Sequence, residues 1–129
     1  MEVLYILMRK ELRSMVPGKA MAQASHASNA FIKKARDKGI DVSAWETATN
    51  QGFGTVLVLE TYDFLKTKAD VEYLAEWGYI TDVVFDPTYP IKDGAYTHHI
   101  PLETCAYVYT NNKDDDLIKN VLGKYDLYR

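Results

Sequence analysis

Cysteine, long apolar runs and a surplus of positive charge are all scarce in this sequence. Its only cysteine, Cys105, has no partner for an internal disulfide and lies in an apolar run, which predicts a buried, inert thiol in a reducing compartment. No apolar run is long enough to cross a membrane, and Glu2 leaves no basic start for a signal peptide. We therefore expect a cytoplasmic protein without membrane contact.

The charge is unevenly distributed along the chain. Residues 1–40 carry eight Lys and Arg against three Asp and Glu, or +5, whereas residues 41–129 carry seven against fifteen, or −8. The sum is the net charge of −3, and a protein that grips a long nucleic acid usually carries a stronger positive field. The excess of positive charge belongs to the opening strand, loop and helix. The basic residues between positions 33 and 38 are also typical of a solvated helix C-terminus, where cations are favourable.

Buried β-rich runs alternate with helical patterns. The predicted strands are Val3–Met8, Thr55–Leu59, Tyr79–Phe85 and Thr104–Thr110. The predicted helices are Lys19–Lys38, Asp41–Asn50, a third that is capped by Thr61 or Asp63 and reaches Trp77, and a fourth that is capped by Asn112 or Asp114 and ends at Gly123. Strands separated by helices imply parallel crossovers, but the last two strands are joined by a long connection without a helix. The pattern predicts one α/β domain over residues 1–129, a three-layer α/β/α sandwich with a four-stranded mixed sheet.

The start of the long first helix is a candidate ligand site. Pro17-Gly18 opens the helix, and Lys19, Gln23 and His26 share one face because they are spaced by four and three residues. Lys19 lies in the first turn, where free backbone N–H groups and the helix dipole favour an anion. The alternative is that all three are ordinary solvated groups.

A second candidate segment runs from Asp86, where the third strand is predicted to break, to Pro101. We expect it to meet the Lys19 helix at the carboxyl edge of the sheet, where open α/β sheets bind ligands. Its side chains for stacking or hydrogen bonding are Tyr89, Tyr96, His98 and His99. The alternative is a rigid cover made by the prolines. Adjacent histidines in an extended segment point to opposite sides, so we expect no metal and no cofactor.

Residues 18–27, Gly-Lys-Ala-Met-Ala-Gln-Ala-Ser-His-Ala, resemble the helix-opening motif of the type II peptidyl-tRNA hydrolase family. Asp86, Gly94 and the strand Thr104–Thr110 follow in the family's order. The resemblance implies the fold just described and metal-free hydrolysis of the ester between a peptide and the tRNA 3′ end. It also implies that Lys19 and Asp86 are the working groups, with Lys19 stabilising an oxyanion and Asp86 activating water.

The family's Gly-Arg-Thr-Gln segment after the aspartate is replaced here by Pro87-Thr88-Tyr89-Pro90. This difference favours a nucleotide-binding protein on a hydrolase scaffold, which sequesters a small, cyclic or linear nucleotide in the manner of phage anti-defence proteins in the host cytoplasm. Its predicted ligand-binding residues are Lys19, Gln23, His26, Tyr89, Tyr96, His98 and His99. The alternative is an active hydrolase that uses Lys19, Asp86 and Thr88. For both functions we expect the protein to assemble as a dimer or tetramer.

Overall fold

The computed structural model describes all residues from 1 to 129. Its elements are β1 (Val3–Arg9), α1 (Pro17–Asp37), α2 (Ser43–Glu46), β2 (Val56–Thr61), α3 (Phe64–Glu76), β3 (Ile80–Asp93), β4 (Tyr96–Thr110) and α4 (Asp116–Leu122). The sheet order is β2-β1-β4-β3. β1 runs parallel to β2, and β4 runs antiparallel to both β1 and β3. The predicted α/β fold with a four-stranded mixed sheet is therefore confirmed.

Neighbouring residues of a strand point to opposite faces of the sheet. The strands therefore present apolar side chains on both faces, and helices cover both. Ile6 of β1 joins a core with Phe31 of α1, whereas the next residue, Leu7, joins a second core with Leu74 of α3 and Ile118 of α4. This alternation explains why the strand reads as apolar throughout. None of the helices is both long and apolar enough to pass through a lipid bilayer.

Two of the later helices begin at carboxylate caps. Asp63 accepts a hydrogen bond from the backbone N–H of Lys66 at 3.2 Å, as one of the two predicted caps of α3. Asp115 accepts from the backbone N–H of Leu117 at 2.9 Å and so caps α4, in place of the predicted Asn112 or Asp114. The cap of α4 was misplaced because three aspartates in succession offer equivalent side chains.

The predicted break at Asp86 and the long connection after it are wrong. β3 and β4 continue as one hairpin, from the pairing of Ile80 with Tyr109 to that of Asp93 with Tyr96, and turn at Gly94, whose φ is +59°. β3 is an edge strand, where a residue without an N–H loses no partner on the open side, so the sheet tolerates Pro87 and Pro90. The register shifts between Val84 and Phe85, and again between Asp86 and Tyr89.

The C-terminal segment packs along the free side of β2. Leu127 forms a bridge with Leu59, the backbone N–H of Glu60 donates to the Asp126 carbonyl at 2.9 Å, and that of Tyr128 donates to the Val58 carbonyl at 2.8 Å. The tail therefore packs on its own fold through backbone hydrogen bonds.

Candidate functional site

The first turn of α1 presents the positive end of the helix dipole. Val16 precedes the helix without a side-chain cap, and the first turn contains no acidic residue. Pro17 occupies the first helical position, where its missing N–H is not needed. The free N–H groups that follow and the dipole of a 21-residue helix favour an anion at this point.

Lys19 stands in this turn with a charge that no carboxylate neutralises. Its Nζ donates to the Pro90 carbonyl oxygen at 2.5 Å and lies 5.1 Å from the centre of the Tyr89 ring. It takes part in no ion pair, although the seven ion pairs of the chain include five other lysines. The ammonium group is thus held near β3 while its charge remains available to an anion.

Gln23 lies one turn further along α1 and is only 2% exposed. Its Nε2 donates to Asp86 Oδ2 at 2.7 Å, and its Oε1 accepts from Thr104 Oγ1 at 2.7 Å. The interpretation of Gln23 as an ordinary surface group is wrong. The sequence carried a signal for this, because Ala20 and Ala27 precede and follow Gln23 at helical spacing on the same buried stripe.

Asp86 is fixed by its neighbours as a carboxylate. Besides the Gln23 amide, it accepts at Oδ1 from the backbone N–H of Thr88 at 2.8 Å and from the Thr88 hydroxyl at 3.2 Å. Burial alone raises the pKa of Asp86, but hydrogen bonds from Gln23 and Thr88 and the nearby His26 outweigh it, so the pKa lies below its usual value. Asp86 is therefore ionised at neutral pH.

A β-bulge in β4 brings Thr104 into this cluster. Thr104 and Cys105 both contact Gln23. The Thr104 hydroxyl donates to Gln23 Oε1 at 2.7 Å, and the Cys105 thiol lies 3.8 Å from the backbone carbonyl oxygen of Gln23. The preceding Glu103 side chain instead pairs with Lys68 of α3 at 2.8 Å. Two consecutive side chains thus point to the same face, as bulges allow. Hydrogen bonds join Gln23 to Asp86 and Asp86 to Thr88, and Lys19 lies one turn before Gln23 on α1. We refer to Lys19, Gln23, Asp86 and Thr88 as the α1 site.

Tyr89 does not have the exposed surface that stacking on a base requires. Its ring is completely buried, and its hydroxyl lies 3.0 Å from Ser14 Oγ and 3.7 Å from Met15 Sδ. The register shift after Asp86 turns Tyr89 toward the α1 core instead of the solvent. The expectation that Tyr89 is a stacking residue is therefore wrong.

The other predicted ligand-binding residues remain exposed. Tyr96 is 75% exposed at the start of β4, and His98 and His99 follow it on the outer half of the hairpin, where His99 pairs with Pro90. His98 Nε2 lies 3.4 Å from Asp93 Oδ2. His26 is exposed on α1. Tyr96, His98 and His99 make no hydrogen bond to the side chains of Lys19 or Asp86, so the structure does not join these three residues to the α1 site directly.

Cys105 is buried under α1, and burial raises its pKa to about 12. The thiol is therefore a poor nucleophile at neutral pH. No group of three or more His, Cys, Asp or Glu side chains is arranged around a position for a metal ion.

Fold and site together define an α/β protein with a mixed sheet that presents a lysine and a carboxylate along the first two turns of its longest helix. The model of the peptidyl-tRNA hydrolase PTH2 family matches residues 2–128, so the chain belongs to that family and the resemblance of its sequence is confirmed. A comparison with curated proteins finds no match.

Proposed function

We propose that this protein binds a nucleotide through a phosphate at the α1 site and retains it without cleavage. The observation that carries the proposal is the unneutralised ammonium group of Lys19 beside the uncapped, acid-free first turn of α1. Backbone N–H groups at a helix start and a nearby lysine together form a favourable environment for a phosphate.

The state of Asp86 favours retention over hydrolysis. A general base works best when its pKa lies near the working pH, whereas the pKa of Asp86 is lowered by its hydrogen bonds. Three donors from Gln23 and Thr88 already occupy its two oxygens. The Arg and Gln that follow the aspartate in the family are also replaced by Pro87-Thr88-Tyr89-Pro90. These features weaken the activation of water and leave the anion-binding elements intact.

Specificity for the rest of the nucleotide would come from the β3–β4 hairpin. Tyr96 offers an exposed ring for a base, and His98 and His99 offer hydrogen bonds. A small nucleotide suits the chain because its total charge of −3 provides little attraction for a long nucleic acid. Sequestration of a cyclic nucleotide immune signal by a phage-encoded dimer or tetramer is the most specific form of this proposal.

Hydrolysis of peptidyl-tRNA is the second candidate, because membership of the PTH2 family implies a tRNA-related substrate. It is supported by the grouping of Lys19, Gln23, Asp86 and Thr88. In this reaction Lys19 would stabilise the developing oxyanion and Asp86 would orient the water that attacks the ester carbonyl, with Thr88 holding Asp86 in place.

The two candidates differ in turnover. The purified protein would be incubated with peptidyl-tRNA and, separately, with a panel of cyclic and linear nucleotides, and both cleavage and retention would be measured. We expect at least one nucleotide to be retained unchanged, and Lys19→Ala to weaken its binding by about tenfold or more because a charge-assisted contact is lost. Lys33→Ala is the matched control, since Lys33 is on the same helix but pairs with Asp37.

Asp86→Asn then separates binding from catalysis. Removal of a negative charge beside a phosphate should leave affinity similar or slightly higher. If instead the wild type cleaves peptidyl-tRNA over many turnovers, and Asp86→Asn lowers the rate by about 100-fold or more, hydrolysis is the function and retention is wrong.

A further inference from the structure

A concave surface lies at the end of the sheet where β3 begins, and none of the α1 site residues lines it. It is a cavity of about 360 Å³, within the size range of small-molecule sites. Three aromatic side chains line it, and we call it the aromatic cavity: Trp77 follows α3, Tyr79 precedes β3, and Tyr109 lies near the end of β4.

Two carboxylates complete the lining of the aromatic cavity, and no Lys, Arg or His takes part. Asp41 accepts from the backbone N–H of Ser43 at 2.9 Å, and Asp115 accepts from that of Leu117 at 2.9 Å. Each carboxylate is thereby fixed at the start of a helix. The hydrogen bonds from Ser43 lower the pKa of Asp41, so it is charged at neutral pH.

The surrounding charges leave this negative potential in place. Glu2 lies close enough to Tyr109 to act on its hydroxyl together with Asp41. Two lysines, Lys34 and Lys38, line an adjoining depression, and Lys34 is already paired with Asp82 at 3.2 Å. A cation entering the aromatic cavity would therefore meet two carboxylates and no competing ammonium in the lining.

We propose that the aromatic cavity binds a small organic ammonium ion with apolar substituents. Aromatic ring faces and carboxylates both attract such an ion, and the rings also cover its methyl groups. A bare metal ion fits less well, because the lining lacks a cluster of three ligating side chains and aromatic rings do not replace its oxygen ligands. The exposed indole of Trp77, at 64%, supplies the open wall through which the ion enters.

Choline chloride is the probe, and its neutral isostere 3,3-dimethylbutan-1-ol is the control, both at constant ionic strength. Trp77 and Trp45 are the two tryptophans of the chain, and Trp45 is 2% exposed, so a change in tryptophan emission reports on Trp77. We expect choline to give a saturable change and the neutral alcohol to bind at least about threefold more weakly, as expected for a cation–π site that is partly exposed to solvent.

Variants identify the cavity as the place of binding. Asp41→Asn and Trp77→Leu should each weaken choline binding by about threefold to tenfold, measured from the amide shifts of Gly78 and Asn111 in NMR spectra. Tyr62→Leu is the control, because Tyr62 is equally exposed, at 62%, but lies after β2. The proposal is overturned if choline does not saturate, if the alcohol binds as well, or if Tyr62→Leu has the same effect as Trp77→Leu.

Discussion

The side-chain amide of Gln23 donates to the carboxylate of Asp86 across 2.7 Å from a position that is only 2% exposed. The same amide accepts from the Thr104 hydroxyl, so one residue of α1 connects the two strands of the hairpin. The hydrogen bond from Gln23 fixes the carboxylate of Asp86, and the buried position of Gln23 ties the α1 site to the core. Changes at Gln23 should therefore affect stability and the titration of Asp86 together.

Gln23→Ala should destabilise the fold by about 1–3 kcal/mol, because the buried Thr104 hydroxyl loses its acceptor. Urea unfolding at pH 7 measures the free energy of unfolding. Met21→Ala is the control on the same helix, since Met21 is 68% exposed, and it should change that free energy by less than about 0.5 kcal/mol. Equal unfolding midpoints for the two variants would show that the Gln23 hydrogen bonds add nothing to stability.

Acid should remove the stabilisation that comes from Asp86. Its folded pKa lies below the ordinary value of 3.8, so its contribution is complete above about pH 4 and is lost as the pH falls through the folded pKa. Wild type should therefore be more stable than Asp86→Asn at pH 7, and the difference should shrink toward pH 3. Urea unfolding of both proteins between pH 3 and pH 7 measures this difference in stability.

The same comparison in a Gln23→Ala background supplies the control. Because Gln23 is one of the donors that lower the pKa of Asp86, the pH-dependent difference should be smaller there. A difference between wild type and Asp86→Asn that grows on acidification would contradict the assigned direction of the pKa shift.

The two tyrosines of the hairpin should behave oppositely. Tyr89→Ala should lower the free energy of unfolding by about 3–5 kcal/mol, because it leaves a cavity where a fully buried ring stood. Tyr96→Ala should leave stability unchanged within about 0.5 kcal/mol and reduce nucleotide affinity by about tenfold through lost stacking. Thermal unfolding and equilibrium binding measure the two effects. Unchanged affinity in Tyr96→Ala would remove Tyr96 from the proposed recognition surface.

Cys105 should react with a thiol reagent only after the protein unfolds. A pKa raised from 9.0 to about 12 lowers the thiolate fraction by about 1,000-fold at neutral pH, and burial also blocks access. Labelling rates with and without denaturant measure this protection. Rapid labelling of the native protein would show that α1 lifts away from β4 far more often than the packing suggests.

The sheet was predictable from the sequence because its strands read as short apolar runs bounded by charged residues or glycine, as in Val3–Met8 and Thr55–Leu59. The hairpin was not, because Pro87 and Pro90 are typical of a strand's end, and only their place on an edge strand makes them compatible with pairing. The burial of Tyr89 depends on a register shift that alternation alone cannot reveal. Lys19 was singled out by its place in the first turn of α1 and Asp86 by its place in the family's order, whereas the contact of Thr104 with Gln23 depends on a bulge in β4 that the sequence does not reveal.

Both outer strands of the sheet resist pairing with another chain. The tail from Asp126 to Tyr128 already uses backbone groups of β2, and Pro87 and Pro90 interrupt the row of donors along β3. A sheet that continues from one copy into the next would lack the hydrogen bonds that hold such a junction together. Any dimer or tetramer of this protein must therefore join through side chains of its helices or of the hairpin, and its chains should not polymerise edge to edge into fibres.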